Sequence, residues 1–311
     1  MTEKTLELIH QSYQRSVAKA TDVLGIVQHL YDDLSIAEVA EEDVPTFDSF
    51  VDGVRGCLQY RRQTFKLTNF VTDINFVLMY IIIWLNSTKN MDIDINLNAR
   101  RKALESDLAK LLRKSDSNVS VNIRDRFGLR GIILNDVPSD ELIKRIYAVF
   151  DAIVGIIAGK NRRARNEFIQ WVNSNSKIDN HDKKKIMFML ELPFAVDFVK
   201  DFIESPKDNG YQSLQFSLYT LMYSEVLPGA QLEIQLRTTQ MHQIAVHGTA
   251  SHDDVYAKTS DREKYCKIFT VDDFSNVHIK GFTSYNSVDD DIDGVHYPKI
   301  FIDRRISSTL V

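Results

Sequence analysis

The sequence predicts a mixed α/β protein with a helical N-terminal region and a β-rich C-terminal tail. Three observations predict it. Across the first 90 residues, Leu and Val recur at helical spacing with few Gly or Pro. At Met91 the period changes, and Met91, Ile93, Ile95 and Leu97 alternate with Asp92, Asp94, Asn96 and Asn98, the pattern of a half-buried strand. Strand-like runs then recur at 213–222, 231–237 and in the tail.

Taken in order, the helical region breaks at 40–46, where three acids and Pro45 separate two segments. The run FVLMYIIIWL, residues 76–85, is ten residues long, whereas a bilayer span needs about 20. It reads as a buried helix or strand, and no membrane segment is expected. After the strand at Met91, Leu104, Leu108, Leu111 and Leu112 fall on one helical face, with Arg100, Lys102, Lys110, Arg113 and Lys114 at the strand exit and along that helix. Residues 119–134 read as one or two strands around Gly128, and Pro138 and Ser139 open an amphipathic helix ending near Gly159. Residues 160–192 read as an excursion, first basic (Lys160, Arg162, Arg163, Arg165), then loop-like from Asn173 to Asp182. Pro193 is expected to start a helix that stops before Pro206. A helix follows near Thr238, and the tail carries strand-like runs at 268–271, 277–282 and 299–302. The expected domains are a helical region at 1–90, a central domain at 91–258 with its excursion at 160–192, and an extension at 259–311.

The 311 residues are 44% hydrophobic and 26% charged, enough apolar content for a sizeable core. A net charge of −5 argues against a general nucleic-acid coat but leaves room for a local basic groove. The two cysteines, Cys57 and Cys266, make neither a disulfide framework nor a zinc ligand set, which suits a reducing compartment. Residues 1–20 lack the apolar core of a secretory signal, so a cytoplasmic location is expected. His242, His247 and His252 step by five residues, turning a helix by about 140° each time, so they do not share a zinc-binding face. The acidic run Asp289–Asp291 with Asp293 reads as a solvated loop.

Two short stretches carry chemistry. In PKDNGYQ, from Pro206 to Gln212, Asn209 and Gly210 supply a turn with positive φ, Lys207 a cation and Tyr211 an aromatic face. Such a turn serves either as a plain Asn-Gly turn or as a platform offering a stacking ring and an ammonium to a nucleotide. In LEIQLR, Glu233, Gln235 and Arg237 alternate with Ile234 and Leu236 and so share one face of a strand. A solvated strand face has that pattern, and so has a ligand site. Asp125, five residues before Arg130, could join Glu233 in a Mg²⁺ site, because Mg²⁺ takes one or two carboxylates plus substrate phosphates.

Together these stretches resemble the RelA/SpoT synthetase family. ESPKDNGYQSLQ and LEIQLRTTQMHQIAVHGTASH are similar to that family's most distinctive segments, Arg100-Arg101-Lys102 with Ser106 and Lys110 keeps its Arg-x-Lys…Ser…Lys spacing, and Asp125-x-x-Gly128-x-Arg130 its Asp-x-x-Gly-x-Arg strand. The resemblance covers Arg100 to His252. It implies a nucleotidyltransferase-like mixed sheet flanked by helices, and an enzyme that moves the β,γ-pyrophosphoryl group of ATP to the 3′-hydroxyl of GDP or GTP. By resemblance, Arg100 and Arg130 sandwich the adenine, and Lys102, Ser106 and Lys110 hold the ATP phosphates. Asp125 and Glu233 coordinate Mg²⁺, and Glu233 helps deprotonate the acceptor hydroxyl. Tyr211 stacks on the guanine, Lys207 meets the acceptor phosphates, and Asn209, Gln215 and Gln235 adjoin the acceptor.

The sequence also departs from the family. The His that usually follows the stacking Tyr by four residues is Gln215, Val246 stands where an acid is common, and Asp253 where an aromatic often follows the His. A neutral amide lacks the charge of an imidazolium, which leaves the acceptor open to a tRNA 3′ end or an adenine nucleotide. An inactive nucleotide-binding or interaction module is the non-enzymatic alternative. His10 and His29 are not followed by Asp, so the His-Asp metal motif of a hydrolase half is not expected in the N-terminal region, and a single-function synthetase is. His181-Asp182 and His252-Asp253 fall outside such a domain. The basic cluster 160–165 could meet RNA, and the 1–90 and 259–311 regions could host an oligomer contact or a protein regulator.

Overall fold

The computed structural model describes residues 1–62, 64–101, 104–116, 127–220 and 230–247, with 265, 267–269 and 300–301. The chain divides into two units. The first comprises Met1–Phe65, Arg100–Arg126 and Asp253–Tyr297, and the second Lys66–Ala99, Phe127–His252 and Pro298–Val311.

Helices in the first unit start where side chains satisfy the free amides. The Thr2 side chain accepts from Thr5 N at the head of α1 (Glu3–Lys19), and Asp22 Oδ1 accepts from Gly25 N at 2.7 Å at the head of α2 (Val23–Ser35). After a 3-10 turn at Glu41–Asp43 comes α3 (Val44–Arg62). The next helix, α4 (Thr64–Lys89), lies almost wholly in the second unit, and α5 (Leu104–Asp116) returns to the first. Ile9, Tyr13, Ile26, Leu30, Phe50, Val54, Leu108 and Leu112 are fully buried in one apolar core, as the spacing of the α5 leucines predicts. Buried polar groups pin it: Asp43 accepts from the Thr2 and Thr5 hydroxyls, each at 2.6 Å, and Arg61 of α3 meets Asp107 of α5 at 3.7 Å, both buried. Residues 265, 267 and 268 are helical, which corrects the expected strand at 268–271. Phe269 instead stacks edge-on against Tyr13, with ring centroids 5.3 Å apart.

The second unit is a mixed sheet flanked by helices. Its strands are β1 (Ile95–Arg101), β2 (Phe127–Ile133), β3 (Phe194–Asp201), β4 (Leu214–Thr220), β5 (Ala230–Thr238) and β6 (Ile300–Phe301), in the order β3-β4-β5-β2-β1-β6. β2 runs parallel to β5, while β3 pairs antiparallel with β4 and β4 with β5. Its helices are α6 (Ser139–Ala152), prolonged by a π-helical turn at Ile153–Ile157, then α7 (Arg162–Ser174), α8 (Asn180–Glu191) and α9 (Thr239–His247). Gly159, with φ +66°, ends the α6 segment as expected. The apolar run 76–85 is the middle of α4; Thr68–Lys89 has the length and composition of a membrane span, but 67% of its apolar window is buried inside the protein.

Three expectations for the second unit need correction. The loop expected at 173–182 narrows to 175–179, because α7 runs on to Ser174 and Asp179 caps the next helix: its Oδ1 accepts from Asp182 N at 2.8 Å and opens α8, as Asn161 opens α7. The excursion is thus a helix pair, tied to α4 by Trp84 against Phe168 and by Lys89–Glu167 and Lys185–Asp73 ion pairs of 2.9 and 2.8 Å. The helix expected at Pro193 is strand β3. Its register slips between Asp197 and Lys200, where Phe198 adopts φ +51°, so a bulge interrupts the alternation. The strand predicted from Met91 starts only at Ile95, because Asn90 and Asp92 take φ of 51° and 47°; the alternation itself holds, with Ile93, Ile95 and Leu97 buried.

Asp107→Ala removes the carboxylate facing the buried Arg61 guanidinium and is expected to lower stability by about 3–5 kcal/mol in urea titration. A loss below about 1 kcal/mol would show that this pair does not anchor α5.

Candidate functional site

The sheet pairing decides which side chains meet. Gln215 of β4 lies opposite Gln235 of β5, and Gln235 opposite Arg130 of β2; one row along, Ser217, Glu233 and Gly128 are aligned in the same way. Residues directly opposite share a face, so Arg130, Gln215, Ser217, Glu233, Gln235 and Arg237 form one polar face. The alternate residues Phe216, Ile234, Leu236 and Leu129 are buried on the other face, where Phe150 of α6 packs against Phe216 with ring centroids 5.0 Å apart. On β3 the bulge leaves Asp197 opposite Ser217 and Lys200 opposite Gln215, which adds both to the polar face.

The loop between β3 and β4 brings Tyr211 to this face. Phe202 N donates to Ser213 O at 3.0 Å, Gly210 N to Lys207 O at 2.8 Å, and Lys207 N to Tyr211 O at 3.2 Å. Gly210 alone takes the positive φ, +77°; Asn209 does not, and its Oδ1 instead accepts from Tyr211 N at 3.2 Å. This corrects the expectation that both residues bend the turn through positive φ. The Tyr211 ring lies 5.8 Å from Phe202 at 76°, with Lys207 Nζ 4.7 Å and Arg237 Cζ 4.8 Å from its centroid.

A chain of hydrogen bonds runs from that ring to Glu233. Gln215 Nε2 and Arg237 Nη2 both donate to the Tyr211 hydroxyl, with Ser213 Oγ as a third partner at 3.1 Å. Arg237 Nη2 also donates to Gln235 Oε1 at 3.0 Å, and Gln235 Nε2 donates to Glu233 Oε2 at 2.7 Å. Arginine only donates, so it fixes the amide oxygen of Gln235 toward itself and the amide nitrogen toward the carboxylate. Gln235 and Arg237 are buried, while Tyr211, Gln215 and Glu233 are half-buried.

Of the residues singled out from sequence, the second unit holds Arg130, Lys207, Asn209, Tyr211, Gln215, Glu233 and Gln235. In the first unit, Arg100 is the penultimate residue of β1, and Ser106 and Lys110 lie four residues apart on α5, both half-buried. Lys102 and Asp125 lie outside the described residues. Sequence reading gave no role to Arg237 or Ser213, although the alternation already put Arg237 on the face of Glu233. For a divalent metal, Glu233 offers the hard oxygen donor that Mg²⁺ prefers, and the donor chemistry fits; among the described residues no group of three or more His, Cys, Asp or Glu forms a cluster.

A family model of the region found in RelA/SpoT proteins matches residues 99–261. The chain belongs to the RelA/SpoT family. It is 39% identical over 69 residues to a probable guanosine-3′,5′-bis(diphosphate) 3′-pyrophosphohydrolase of Mycoplasma genitalium, a match covering 22% of this chain and 9% of that protein. It is 43% identical over 53 residues to a chloroplastic GTP diphosphokinase of Oryza sativa subsp. japonica, covering 17% of this chain and again 9% of the relative. The matches thus span about a tenth of these relatives' length. Among solved structures it is similar to small alarmone synthetase 2 from Bacillus subtilis, at 19% identity, 67% and 89% coverage of the two chains and a TM-score of 0.41.

In this RelA/SpoT chain, Asp201 holds the start of the Tyr211 loop. Its Oδ1 accepts from Ile203 N and Glu204 N at 2.9 and 3.0 Å, and its Oδ2 from the Tyr147 hydroxyl of α6 at 2.6 Å. Burial raises the Asp201 pKa, but these three hydrogen bonds outweigh it and hold the carboxyl below its ordinary 3.8. Burial, then the bond to Asp201, pushes the Tyr147 hydroxyl up to about 12. A depressed carboxyl stabilises the fold fully above its unfolded pKa and loses that contribution as pH falls through the folded value. Asp201→Asn is therefore expected to lower stability by about 1–2 kcal/mol at neutral pH. Its thermal midpoint should also fall less steeply than wild type below about pH 4. Parallel midpoint curves for the two proteins would refute the assignment.

Proposed function

We propose that this RelA/SpoT-family chain transfers the β,γ-pyrophosphoryl group of ATP to the 3′-hydroxyl of GDP or GTP. The observation that carries this reading is the continuous hydrogen-bonded path from the Tyr211 ring to the Glu233 carboxylate, on one sheet face within the family-matching region. In the reaction, the acceptor O3′ forms a bond to the β-phosphorus of ATP. The bond from that phosphorus to the α,β-bridging oxygen breaks, AMP departs, and Glu233 takes the proton of the 3′-hydroxyl. Tyr211 stacks on the acceptor base, and Lys207 neutralises acceptor phosphate charge. Arg100, Lys102, Ser106, Lys110 and Arg130 hold the donor ATP. Glu233 and Asp125 would hold Mg²⁺, which when bound neutralises charge on the transferred phosphates. Such a transfer depends on positioning and charge neutralisation more than on a covalent intermediate, which suits a site built of cations and a carboxylate.

One observation favours a second acceptor. Gln215 commits one amide N–H to the Tyr211 hydroxyl and carries no charge, so the charge that an imidazolium would offer an acceptor phosphate is missing at this position. A tRNA 3′ end or an adenine nucleotide would then replace the guanine nucleotide in the same chemistry.

Incubation with ATP and Mg²⁺ beside GDP, GTP, ATP or deacylated tRNA tests both readings, with AMP release and a 3′-pyrophosphorylated product as the signals. Glu233→Gln is expected to lower kcat by about 10²–10⁴-fold with whichever acceptor works. Nucleotide binding without turnover on any acceptor would leave a binding module and end the enzymatic reading.

A further inference from the structure

Arg237 is a buried, multiply connected side chain on the polar face, yet it belongs to neither the donor set nor the acceptor set described above. It is 4% exposed, and one nitrogen, Nη2, bonds both the Tyr211 hydroxyl and Gln235 Oε1, the latter at 3.0 Å. Its guanidinium carbon lies 4.8 Å from the centroid of the Tyr211 ring. The same residue therefore fixes the ring twice, through the hydroxyl at its tip and through its π system.

We propose that Arg237 is a positioning residue that locks the Tyr211 ring for the base of a purine nucleoside acceptor and couples that ring to Gln235 and Glu233. This rests on the reading of Tyr211 as the stacking platform and Glu233 as the base. Burial leaves the guanidinium no direct role at the reacting atoms, and its strand position shows how it acts. Arg237 follows Gln235 by two residues on β5 and so emerges on the same face, while β4 places Gln215 directly opposite Gln235. Gln215 and Arg237 thus reach the Tyr211 hydroxyl from two adjacent strands. A ring held in this way presents a fixed plane, and stacking on a fixed plane loses less conformational freedom than stacking on a rotating one. The planar shape of the cation matters as well. The guanidinium lies against the Tyr211 ring with its carbon 4.8 Å from the centroid while Nη2 makes both hydrogen bonds, whereas a lysine ammonium is a point charge with no flat face to hold the ring plane.

The test separates the positioning role from the reading beneath it by pairing an activity-independent measurement with acceptor binding. Wild type, Arg237→Lys and Arg237→Ala are compared by NMR of ¹³C-labelled tyrosine, with Tyr211→Phe to assign the signal. Equilibrium titrations with GDP and with ATP follow, after circular dichroism has confirmed the fold. Slow Tyr211 ring flipping is expected in wild type and fast averaging in both variants. GDP affinity should fall about tenfold or more in Arg237→Lys, with ATP affinity unchanged. If Arg237→Ala fails to fold, Arg237→Lys alone decides. In a folded Arg237→Ala, added guanidinium should restore slow flipping where ammonium does not. A Tyr211 signal that is the same in wild type and Arg237→Lys overturns the proposal. So does unchanged GDP affinity in a variant whose ring has been freed. If the ring is released as expected but wild type itself binds no GDP, the acceptor reading falls, and the proposed role in acceptor binding falls with it.

Discussion

A single register governs the candidate site. Gln215, Gln235 and Arg130 stand in one row across β4, β5 and β2, with Ser217, Glu233 and Gly128 in the next. Because side chains alternate along a strand, a slip of one residue would turn every one of these groups to the opposite face. What prevents the slip is the other half of the alternation. Phe216, Ile234, Leu236 and Leu129 are almost fully buried, so turning them to the polar face would expose several large apolar side chains at about 1.5–3 kcal/mol each. The apolar face therefore sets the chemistry of the polar one, and the hydrogen-bonded chain from Tyr211 to Glu233 follows from packing that none of its members takes part in.

The first unit applies the same logic to a helix. α5 buries Leu104, Leu108, Leu111 and Leu112 in the helical core, and this orients Ser106 and Lys110 toward its less buried side. Asp107, next to Ser106, is drawn inward against Arg61. Such a buried pair contributes little net stability compared with apolar residues of the same volume, but breaking it is costly. Its consequence here is orientational, since it resists rotation of α5 about its own axis and keeps the Ser106–Lys110 side where the leucines leave it. The N-terminal helices thus have a structural task that needs no ligand or partner of their own.

Much of this was legible in the sequence because periodicity and burial agree wherever an element is regular. The α5 leucines, the alternation through Ile93, Ile95 and Leu97, and the polar stripe of Glu233, Gln235 and Arg237 all lie on the faces their spacing predicts. Two of the failures share one physical cause, a local feature that disguises the period. On β3 the bulge at Phe198 adds one residue, so that Phe194, Phe198 and Phe202 fall four apart and imitate a helical face. Around α8, Asp179 and Asn180 look like loop residues, but the Asp179 side chain caps the helix by accepting from the amide of Asp182 in its first turn. Asn209 has the turn chemistry expected of it, delivered through its side chain and not through its backbone. The role of Arg237 was hidden for another reason. Alternation gives the face of a strand residue, but only the fold of the 202–213 loop shows that Tyr211 comes back across that face to meet it.

Gln215 shows how far such a network constrains what a substitution can do. An imidazole there would change charge near neutral pH and could shift between the tyrosine and a phosphate. The amide has two donor protons and one acceptor oxygen at every pH, and one proton is committed to the Tyr211 hydroxyl. That hydroxyl is already shared with Arg237 and Ser213, so Gln215 acts first on the ring and only with its remaining groups on a ligand. The cations beside the ring, Lys207 and Arg237, differ in the same respect: the first is exposed and the second buried. On the proposed reading, charge available to an incoming acceptor at this ring would come chiefly from Lys207, on the loop, while the strand residues Gln215 and Arg237 would set the plane for its base. Recognition of the base and of the phosphates would then be divided between two structural elements, and a change at position 215 would alter the geometry of the first before the electrostatics of the second.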